Sequence, residues 1–391
     1  MNIIDNNQLS LINRTQPVFE KDYKGHLPEL SKKIQQSRIV VVGGAGSIGS
    51  TVVRILFDLQ PKALHVVDIN ENGLADLVRS IRSESGYKTD DFLTICFDPL
   101  QTNGSSLIDE HGPYDVIFNF AAVKHVRSEK DPFTLSRMFD VNVRLMKLLT
   151  QWAETTRSHT LFSVSTDKAA NPANLMGASK RLMEMTGFMY AQECFSTARF
   201  ANVAFSNGSL LNAFWDRLNQ GHPLSAPSNI RRFFITHEEA ARLCILGAFV
   251  APHGTISIPR APGEIELTSF VDVATNVLKS RGYEPLFCES EEEARVTKPA
   301  NGKWPCYFFE SDTSGEKPFE EFIGDGEGLV ETPFEEISLI GKLIRPGYSA
   351  LDSVVQIDPL NMTKEEVVNR VADIVPGFSH VETGRNLDQR M

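Results

Sequence analysis

Cysteine is scarce in this sequence, and long apolar runs are absent. The five cysteines among 391 residues are scattered without metal-ligand spacing, which indicates reduced thiols and argues against a disulfide framework. No apolar run approaches the roughly 18 residues of a membrane-spanning helix, so we expect no membrane span. The N-terminus lacks the charged and apolar regions of a signal peptide, which favours a cytoplasmic protein.

An excess of positive charge is also lacking. The chain has 39 Lys and Arg residues against 50 Asp and Glu residues, and its formal net charge is −11. Nucleic-acid binding depends on clustered cations, so this balance argues against a nucleic-acid partner. Hydrophobic residues make up 41% and charged residues 23%, as in a globular protein with a sizeable core. The length allows one large domain or two.

Predicted strands alternate with predicted helices through the first half of the chain. The run Ser37–Val42 is apolar and β-branched, which is typical of a strand covered on both faces. Four strand–helix units in series predict an α/β fold with a doubly wound parallel sheet, of the Rossmann type. The predicted strands are 37–42, 63–67, 92–97, 114–120, 160–164 and 197–204. The predicted helices are 28–36, 50–59, 73–83, 131–155, 176–191, 211–219, 237–248, 267–281, 289–295, 318–323 and 363–375.

These patterns divide the chain into four regions. They are an N-terminal arm (1–36), a dinucleotide-binding domain (37–205), a substrate-binding region (206–330) and a C-terminal extension (331–391). The arm is predicted either to pack on a neighbouring subunit or to be a loosely ordered tail. The long helices 131–155 and 176–191 could likewise form a subunit contact, or pack only on the sheet.

Three glycines follow the first predicted strand. Gly43 would make the tight turn, Gly46 would let the backbone approach a pyrophosphate, and Gly49 would let helix and strand pack closely. The N–H groups at the start of the next helix would then bind phosphate. Between a strand and a helix, this spacing predicts a dinucleotide site.

Further cofactor contacts are predicted at the ends of the next strands. Asp68 lies about 20 residues after the glycines, where a carboxylate accepts from the ribose hydroxyls of NAD and repels the 2′-phosphate of NADP. NAD is therefore favoured over NADP, although Arg79 or Arg82 could reach a phosphate. Asp98 could accept from the adenine amino group, and Asn142 is expected to hydrogen-bond to a neighbouring element. The other predicted cofactor residues are Ala45, Ser47, Ile48, Ala121, Ala122, Lys124 and Lys180.

The fifth predicted strand ends in side chains suited to proton chemistry. Thr166, Asp167 and Lys168 are adjacent, and Lys180 follows Met176 by one helical turn. Elimination needs an acid and a base in one site, and an adjacent Asp and Lys could supply both. The alternative is a surface ion pair that caps the next helix. The predicted catalytic residues are Thr166, Asp167, Lys168, Met176 and Lys180.

Arg231 and Arg232 precede two phenylalanines. Paired guanidinium groups beside aromatic rings suit a diphosphate and a base, and surface charges are the alternative. The predicted substrate-binding residues are Lys124, His125, Asn202, Arg232, Arg260 and Glu316.

Several of these motifs occur in the same order in a known class of enzymes. They are Gly43-x-x-Gly46-x-x-Gly49, Ala121-Ala122, Asn142, the run 165–169, the helix with Lys180, the run 199–203, Arg232-Phe-Phe and Gly315-Glu-Lys317. Over residues 37–325 the chain resembles the extended short-chain dehydrogenase/reductase class. Within it, the chain resembles the nucleotide-sugar 4,6-dehydratases of polysaccharide biosynthesis, whose best-known members act on UDP-N-acetylglucosamine.

This resemblance implies an NAD-dependent lyase, expected to be a homo-oligomer. Hydride would leave sugar carbon 4 and later return to carbon 6, after water is eliminated across carbons 5 and 6. The product would be a 4-keto-6-deoxy sugar nucleotide. The resemblance assigns protonation of the leaving hydroxyl to Asp167, removal of the carbon-5 proton to Lys168, a hydrogen bond at carbon 4 to Thr166, and the nicotinamide ribose to Lys180.

Two positions depart from the class. Met176 stands where most members have Tyr, although some larger membrane-bound 4,6-dehydratases also carry Met. Thr313-Ser314 stand where Arg-Pro is usual, so either Arg232 or Arg260 meets the diphosphate or the nucleotide differs. The open alternatives are an epimerase or reductase on the same scaffold, and an NAD-binding regulatory protein without catalysis.

Overall fold

The fold is organised around one nine-stranded sheet. A computed structural model describes residues 8–101, 104–200, 202–260, 267–311, 320–342 and 356–382. The strands, in chain order, are β1 (Arg38–Val42), β2 (Ala63–Asp68), β3 (Phe92–Cys96), β4 (Val116–Asn119), β5 (Thr160–Val164), β6 (Phe195–Ala198), β7 (Asn202–Val203), β8 (Leu224–Pro227), β9 (Arg231–Arg232), β10 (Phe234–Ile235), β11 (Ile256–Pro259), β12 (Thr268–Ser269), β13 (Glu284–Phe287), β14 (Lys303–Phe309), β15 (Gly328–Val330) and β16 (Ile337–Lys342).

The strand order in the large sheet is β15-β16-β11-β6-β5-β4-β1-β2-β3. All neighbours from β3 to β11 are parallel, whereas β16 and β15 are added antiparallel at one edge. The direction of strand order reverses between β1 and β4, and open α/β sheets bind ligands in the crevice at such a switch point. The predicted doubly wound parallel sheet is confirmed.

Helices cover both faces of this sheet. They are α1 (Glu20–Gln35), α2 (Ser47–Asp58), α3 (Glu71–Glu84), α4 (Ser106–His111), α5 (Pro132–Phe139), α6 (Leu145–Thr156), α7 (Leu175–Tyr190), α8 (Leu210–Gln220), α9 (His237–Phe249), α10 (Phe270–Ser280), α11 (Glu291–Val296) and α12 (Lys364–Ala372). Alternate residues of β1 point to opposite layers. Ile39 and Val41 join the core that includes α2 and α9, and Val40 and Val42 join the core that includes α6 and α7. No helix in the described ranges is long and apolar enough to cross a bilayer.

Two predicted elements are interrupted in the structure. The helix predicted over 131–155 contains one π-helical turn, Asp140–Arg144, between α5 and α6. Asn142 lies in this turn and its amide exchanges two hydrogen bonds of 3.0 Å with the backbone of Val123, which confirms its predicted contact. The strand predicted over 197–204 is also divided, because β7 leaves the large sheet to pair with β10. Of the helix predicted over 318–323, residues 320–323 are not helical and the rest lies outside the described residues.

A smaller subdomain is formed by segments that alternate in the chain with the last strands of the large sheet. It contains the three-stranded sheet β13-β14-β8 and helices α8 and α10, around a core of its own. Leu9 and Ile12 belong to that core, and Arg14 makes a 2.6 Å ion pair with the buried Glu239. The N-terminal residues from 8 onward therefore pack on their own chain, so this part of the arm is not a loosely ordered tail, and its contact with a neighbouring subunit stays a prediction.

The C-terminal residues cover the outer side of α7. Ile357, Val367 and Val371 pack in one cluster with Leu175 and Leu182 of this helix. With the sheet on its other side, all α7 residues from 175 to 188 are buried. The face expected as a possible subunit contact is thus occupied by the same chain, and the oligomeric state stays a prediction.

Candidate active site

The glycine turn lies at the switch point of the sheet. Gly43 has a positive φ of 78°, which favours glycine, and its N–H donates to Val67 O at 2.8 Å. A methyl group on Gly43 would lie 2.3 Å from the backbone nitrogen of Ala121. The ends of β1 and β4 therefore pass in close contact, which the absence of a side chain at Gly43 permits.

The first turn of α2 starts at this glycine turn. A Cβ added to Gly49 would lie 2.4 Å from Gly43 O, so the helix packs directly on the turn. A Cβ added to Gly46 would meet only Gly43 O, at 3.4 Å, so the space in front of it is open. Among the described residues no side chain caps α2. Its first N–H groups, near Ser47 and Ile48, are therefore available to an anion.

Two acidic residues predicted to contact the cofactor already have hydrogen-bond or ion-pair partners within the protein. Asp68 accepts from the N–H of Ala45 at 2.9 Å and from that of Asn70 at 3.0 Å, so its carboxylate fixes the glycine turn. Each oxygen keeps a further lone pair for a ligand. Asp98 pairs with Arg137 at 3.1 Å. Their cofactor roles stay predictions.

The candidate catalytic turn follows β5 directly. The Thr166 hydroxyl donates to Asp167 Oδ1 at 2.7 Å, and Lys168 Nζ donates to the same oxygen at 3.0 Å. The Asp167 side chain is 8% exposed, whereas the Lys168 side chain is 42% exposed. The hydroxyl and the amine thus both contact the Asp167 carboxylate, which is buried, whereas the amine is partly exposed.

Lys180 lies beneath this turn. Its Nζ donates to Val164 O at 2.9 Å, and burial lowers the pKa of Lys180 to about 8, against the opposing effect of Glu184. Met176, one turn earlier, is buried in the cluster that the C-terminal residues complete. Its side chain offers no titratable group to the site.

The loop after β4 reaches the loop after β7. Lys124 Nζ lies 3.4 Å from the Ser206 hydroxyl, and the His125 ring is against Gly208, where an added Cβ would be 3.0 Å from Nε2. Burial lowers the pKa of both Lys124 and His125. These two predicted substrate residues therefore connect the large sheet to the smaller subdomain.

Glu320 joins the other predicted substrate residues and was missed in the sequence. Its Oε1 accepts from Asn202 Nδ2 at 3.1 Å and from Phe233 N at 3.2 Å, and lies 3.7 Å from Arg232 Nε. Burial raises the pKa of Glu320, and the negative charge of Asp167 acts in the same direction. No local pattern could have revealed it, because its partners lie about 90 to 120 residues away in sequence.

The structure does not place the two remaining predicted substrate residues, Arg260 and Glu316, with this group. Arg260 is exposed at the end of β11 and donates to Glu335 O at 2.7 Å. No contact in the described part of the chain joins it to Asn202, Arg232 or Glu320. Glu316 lies outside the described residues.

A buried network of four charged side chains supports the site, and sequence reasoning missed it as well. Arg199 follows β6 and contacts Glu184 at 2.6 Å and Glu327 at 2.6 Å, while Arg181 pairs with both glutamates. Each of these side chains is at most 5% exposed. Ser165 donates to Glu184 at 2.6 Å, so the network reaches the residue before the catalytic turn. The two positive and two negative charges compensate each other.

Comparison with models of protein families identifies the family to which the chain belongs. A family model described as polysaccharide biosynthesis protein matches residues 39–342. The chain belongs to this polysaccharide biosynthesis family. The matched region includes the glycine turn, the catalytic turn and the charged network.

The relatives of this chain differ in how much of their own length it covers. An uncharacterized membrane protein of Methanocaldococcus jannaschii is 30% identical over 308 residues, covering 76% of this chain and 84% of that protein. The probable polysaccharide biosynthesis protein EpsC of Bacillus subtilis is 27% identical over 81% of this chain and 50% of its own length. The capsular polysaccharide biosynthesis protein CapD of Staphylococcus aureus is 26% identical over 87% and 53%. The chain thus spans about half of EpsC and CapD.

Solved structures share the fold of this polysaccharide biosynthesis protein. Pen from Bacillus thuringiensis has a TM-score of 0.63 at 19% identity and covers 80% of this chain and 89% of its own. DesIV from Streptomyces venezuelae, a dTDP-glucose 4,6-dehydratase solved with NAD and TYD bound, has a TM-score of 0.54 at 17% identity and covers 82% and 96%. At these identities the likeness shows the fold alone.

Proposed function

We propose that this protein is a nucleotide-sugar 4,6-dehydratase that uses bound NAD and acts on UDP-N-acetylglucosamine. One observation carries the proposal: the Thr166 hydroxyl and the Lys168 amine both contact the Asp167 carboxylate at the carboxyl end of β5, on the sheet edge that carries the glycine turn. Membership of the polysaccharide biosynthesis family supports a sugar-nucleotide substrate.

The residues at the glycine turn fit a dinucleotide. The open space at Gly46 and the uncapped start of α2 suit a pyrophosphate, and Asp68 keeps acceptor capacity for ribose hydroxyls. Arg79 pairs with Asp76, and Arg82 stacks on Tyr87 at 4.2 Å, so both arginines that could have met a 2′-phosphate have other partners. NAD is therefore preferred to NADP. When bound, NAD supplies the acceptor and the donor of hydride.

The ion pair of the catalytic turn suits the elimination of water. Elimination needs an acid and a base in one site, and Asp167 and Lys168, in contact at 3.0 Å, could supply both. Asp167 would give a proton to the hydroxyl leaving carbon 6, and Lys168 would take the proton from carbon 5. The Thr166 hydroxyl, already oriented by Asp167, would hydrogen-bond to the oxygen on carbon 4.

The nucleotide end of the substrate would lie towards the smaller subdomain. Arg232 is buried beside Glu320 and Asn202, where a diphosphate could replace part of the guanidinium's present contacts. Lys124 and His125 would contact the sugar from the loop after β4. This arrangement supports Arg232 over the exposed Arg260 as the diphosphate ligand.

A mass-spectrometric screen tests the proposal. The purified protein is incubated with UDP-N-acetylglucosamine and with other UDP-, GDP- and dTDP-sugars, and the products are weighed. We expect loss of one water from UDP-N-acetylglucosamine and, in heavy water, incorporation of solvent deuterium at carbon 5. Asp167→Asn serves as the inactive control, and failure of every sugar nucleotide to lose water would reject a dehydratase.

An epimerase is the second candidate. UDP-glucose 4-epimerases of several Rickettsia species are 24–26% identical over 57% of this chain. An epimerase would return products of unchanged mass with altered stereochemistry at carbon 4. The same incubation, read by nuclear magnetic resonance, separates the two reactions. Binding of NAD without turnover of any sugar nucleotide would instead support a regulatory protein.

A further inference from the structure

We propose that residues 356–382 act as an internal clamp on the catalytic turn, and that His380 is its positioning residue. The segment lies beyond residue 342, where the match to the family model ends. The effect on catalysis rests on the proposed function, whereas the effect on the structure of the turn does not.

The end of the clamp pairs with the loop between the catalytic turn and α7. Ser379 N donates to Pro172 O at 3.3 Å, and Val381 N donates to Ala173 O at 3.0 Å. These two bonds hold the tail alongside the loop. Its upstream part is fixed by apolar contacts of Ile357, α12 and residues 374–375 with α5 and α7.

His380 contacts the start of α7 through one carboxylate. Glu129 Oε2 lies 3.0 Å from His380 Nε2, and Glu129 Oε1 accepts from Met176 N at 3.0 Å. The Glu129 side chain is 6% exposed. The N–H of Met176 belongs to the first turn of α7, where a carboxylate is favoured by the free N–H groups and the helix dipole. His380 therefore orients the group that fixes this turn.

The position of the first turn of α7 is transmitted to both candidate catalytic lysines. A Cβ added to Gly177 would lie 2.4 Å from Lys168 O, so the helix start packs on the backbone of the catalytic turn. Lys180, one turn further along, donates to Val164 O. A shift of the helix start would therefore displace Lys168 and Lys180 together, and displacements near 1 Å are enough to reduce turnover by about 100-fold.

Three variants of the full-length chain test the clamp. His380→Phe keeps the ring contact with Phe378 but cannot donate to Glu129, whereas His380→Gln restores a donor. Lys364→Ala is the matched control, because it removes an ion pair with Glu382 in the same segment without touching the catalytic turn. If His380→Phe does not fold, His380→Ala replaces it.

The first readout is amide hydrogen exchange over residues 172–180, which needs neither substrate nor activity. We expect exchange to rise by about 10-fold in His380→Phe and to return to the wild-type rate in His380→Gln. Lys364→Ala should leave it unchanged. Equal exchange in wild type and His380→Phe would overturn the clamp.

The second readout is the kinetics of the dehydratase reaction. We expect kcat to fall by about 10-fold in His380→Phe, with KM for the sugar nucleotide changed less than about twofold, and His380→Gln to recover most of kcat. Faster exchange with unchanged kcat would overturn the positioning role. If the wild-type protein itself eliminates no water, the proposed function fails and the exchange measurement alone decides the clamp.

Discussion

Replacing Lys180 by Met should make the protein more stable at neutral pH while it abolishes turnover. Lys180 is 4% exposed, and burial lowers its pKa from 10.5 to about 8. At about 1.4 kcal/mol for each pKa unit, holding this lysine protonated in the folded state costs about 3 kcal/mol at pH 7. Its hydrogen bond to Val164 O returns about 1 kcal/mol. We therefore expect Lys180→Met to raise the free energy of unfolding by about 2 kcal/mol.

The pH dependence of this difference identifies its cause. Between pH 8 and pH 10.5 the unfolded chain keeps the proton of Lys180 and the folded chain does not, so the wild type gains stability relative to the variant as pH rises. The advantage of Lys180→Met should be complete below about pH 8 and, with a change of about 1.4 kcal/mol for each pH unit above that, should be lost near about pH 9.5.

Urea unfolding at pH 7, 8.5 and 10 measures this difference in the free energy of unfolding, with Lys62→Met, at an exposed lysine, as the matched control substitution. A variant less stable than the wild type at pH 7, or a difference of equal size at every pH, would refute the reasoning.

Three other variants address the catalytic turn, the glycine turn and the charged network. Asp167→Asn should lower turnover by about 100-fold or more, because the amide cannot donate the required proton. Asp76→Asn, on the exposed side of α3, is the control and should leave turnover unchanged. Unreduced turnover in Asp167→Asn would exclude the role assigned to Asp167. Gly49→Ala should reduce stability by about 1–3 kcal/mol, because its methyl carbon would lie 2.4 Å from Gly43 O, and should weaken NAD binding in calorimetry; an unchanged affinity would contradict the packing argument. Arg199→Met should cost about 3–5 kcal/mol in urea unfolding because it leaves buried glutamates without their main partner, and a loss below about 1 kcal/mol would be inconsistent with the network.

The parts of the fold predicted from the sequence are those with local signals. The β-branched run before Gly43 and the glycine spacing after it are properties of neighbouring residues, and both the strand and the turn are found where they were expected. The adjacency of Thr166, Asp167 and Lys168 is likewise local, so the contacts of Thr166 and Lys168 with the Asp167 carboxylate could be anticipated.

The parts that could not be predicted depend on partners distant in the chain. Arg199 and Glu327 are 128 residues apart and meet only after the large sheet and the loop before β15 have formed. Glu320 lies within the helix predicted over 318–323, and nothing in that local pattern indicates that this carboxylate is buried beside Arg232. The strand expected over 197–204 is divided because β7 pairs with β10 and not with the large sheet. The residues of the strand itself do not indicate this pairing, which depends on a segment about 30 residues later.

The ion pair between Arg14 and Glu239 has a consequence for the order of folding. It joins residues 225 apart, and Glu239 also belongs to the capping box that begins α9. Contacts of such long separation form late, since a long stretch of chain must first be ordered. The N-terminal segment should therefore dock only after the middle of the chain is made, and its buried residues then complete the core of the smaller subdomain.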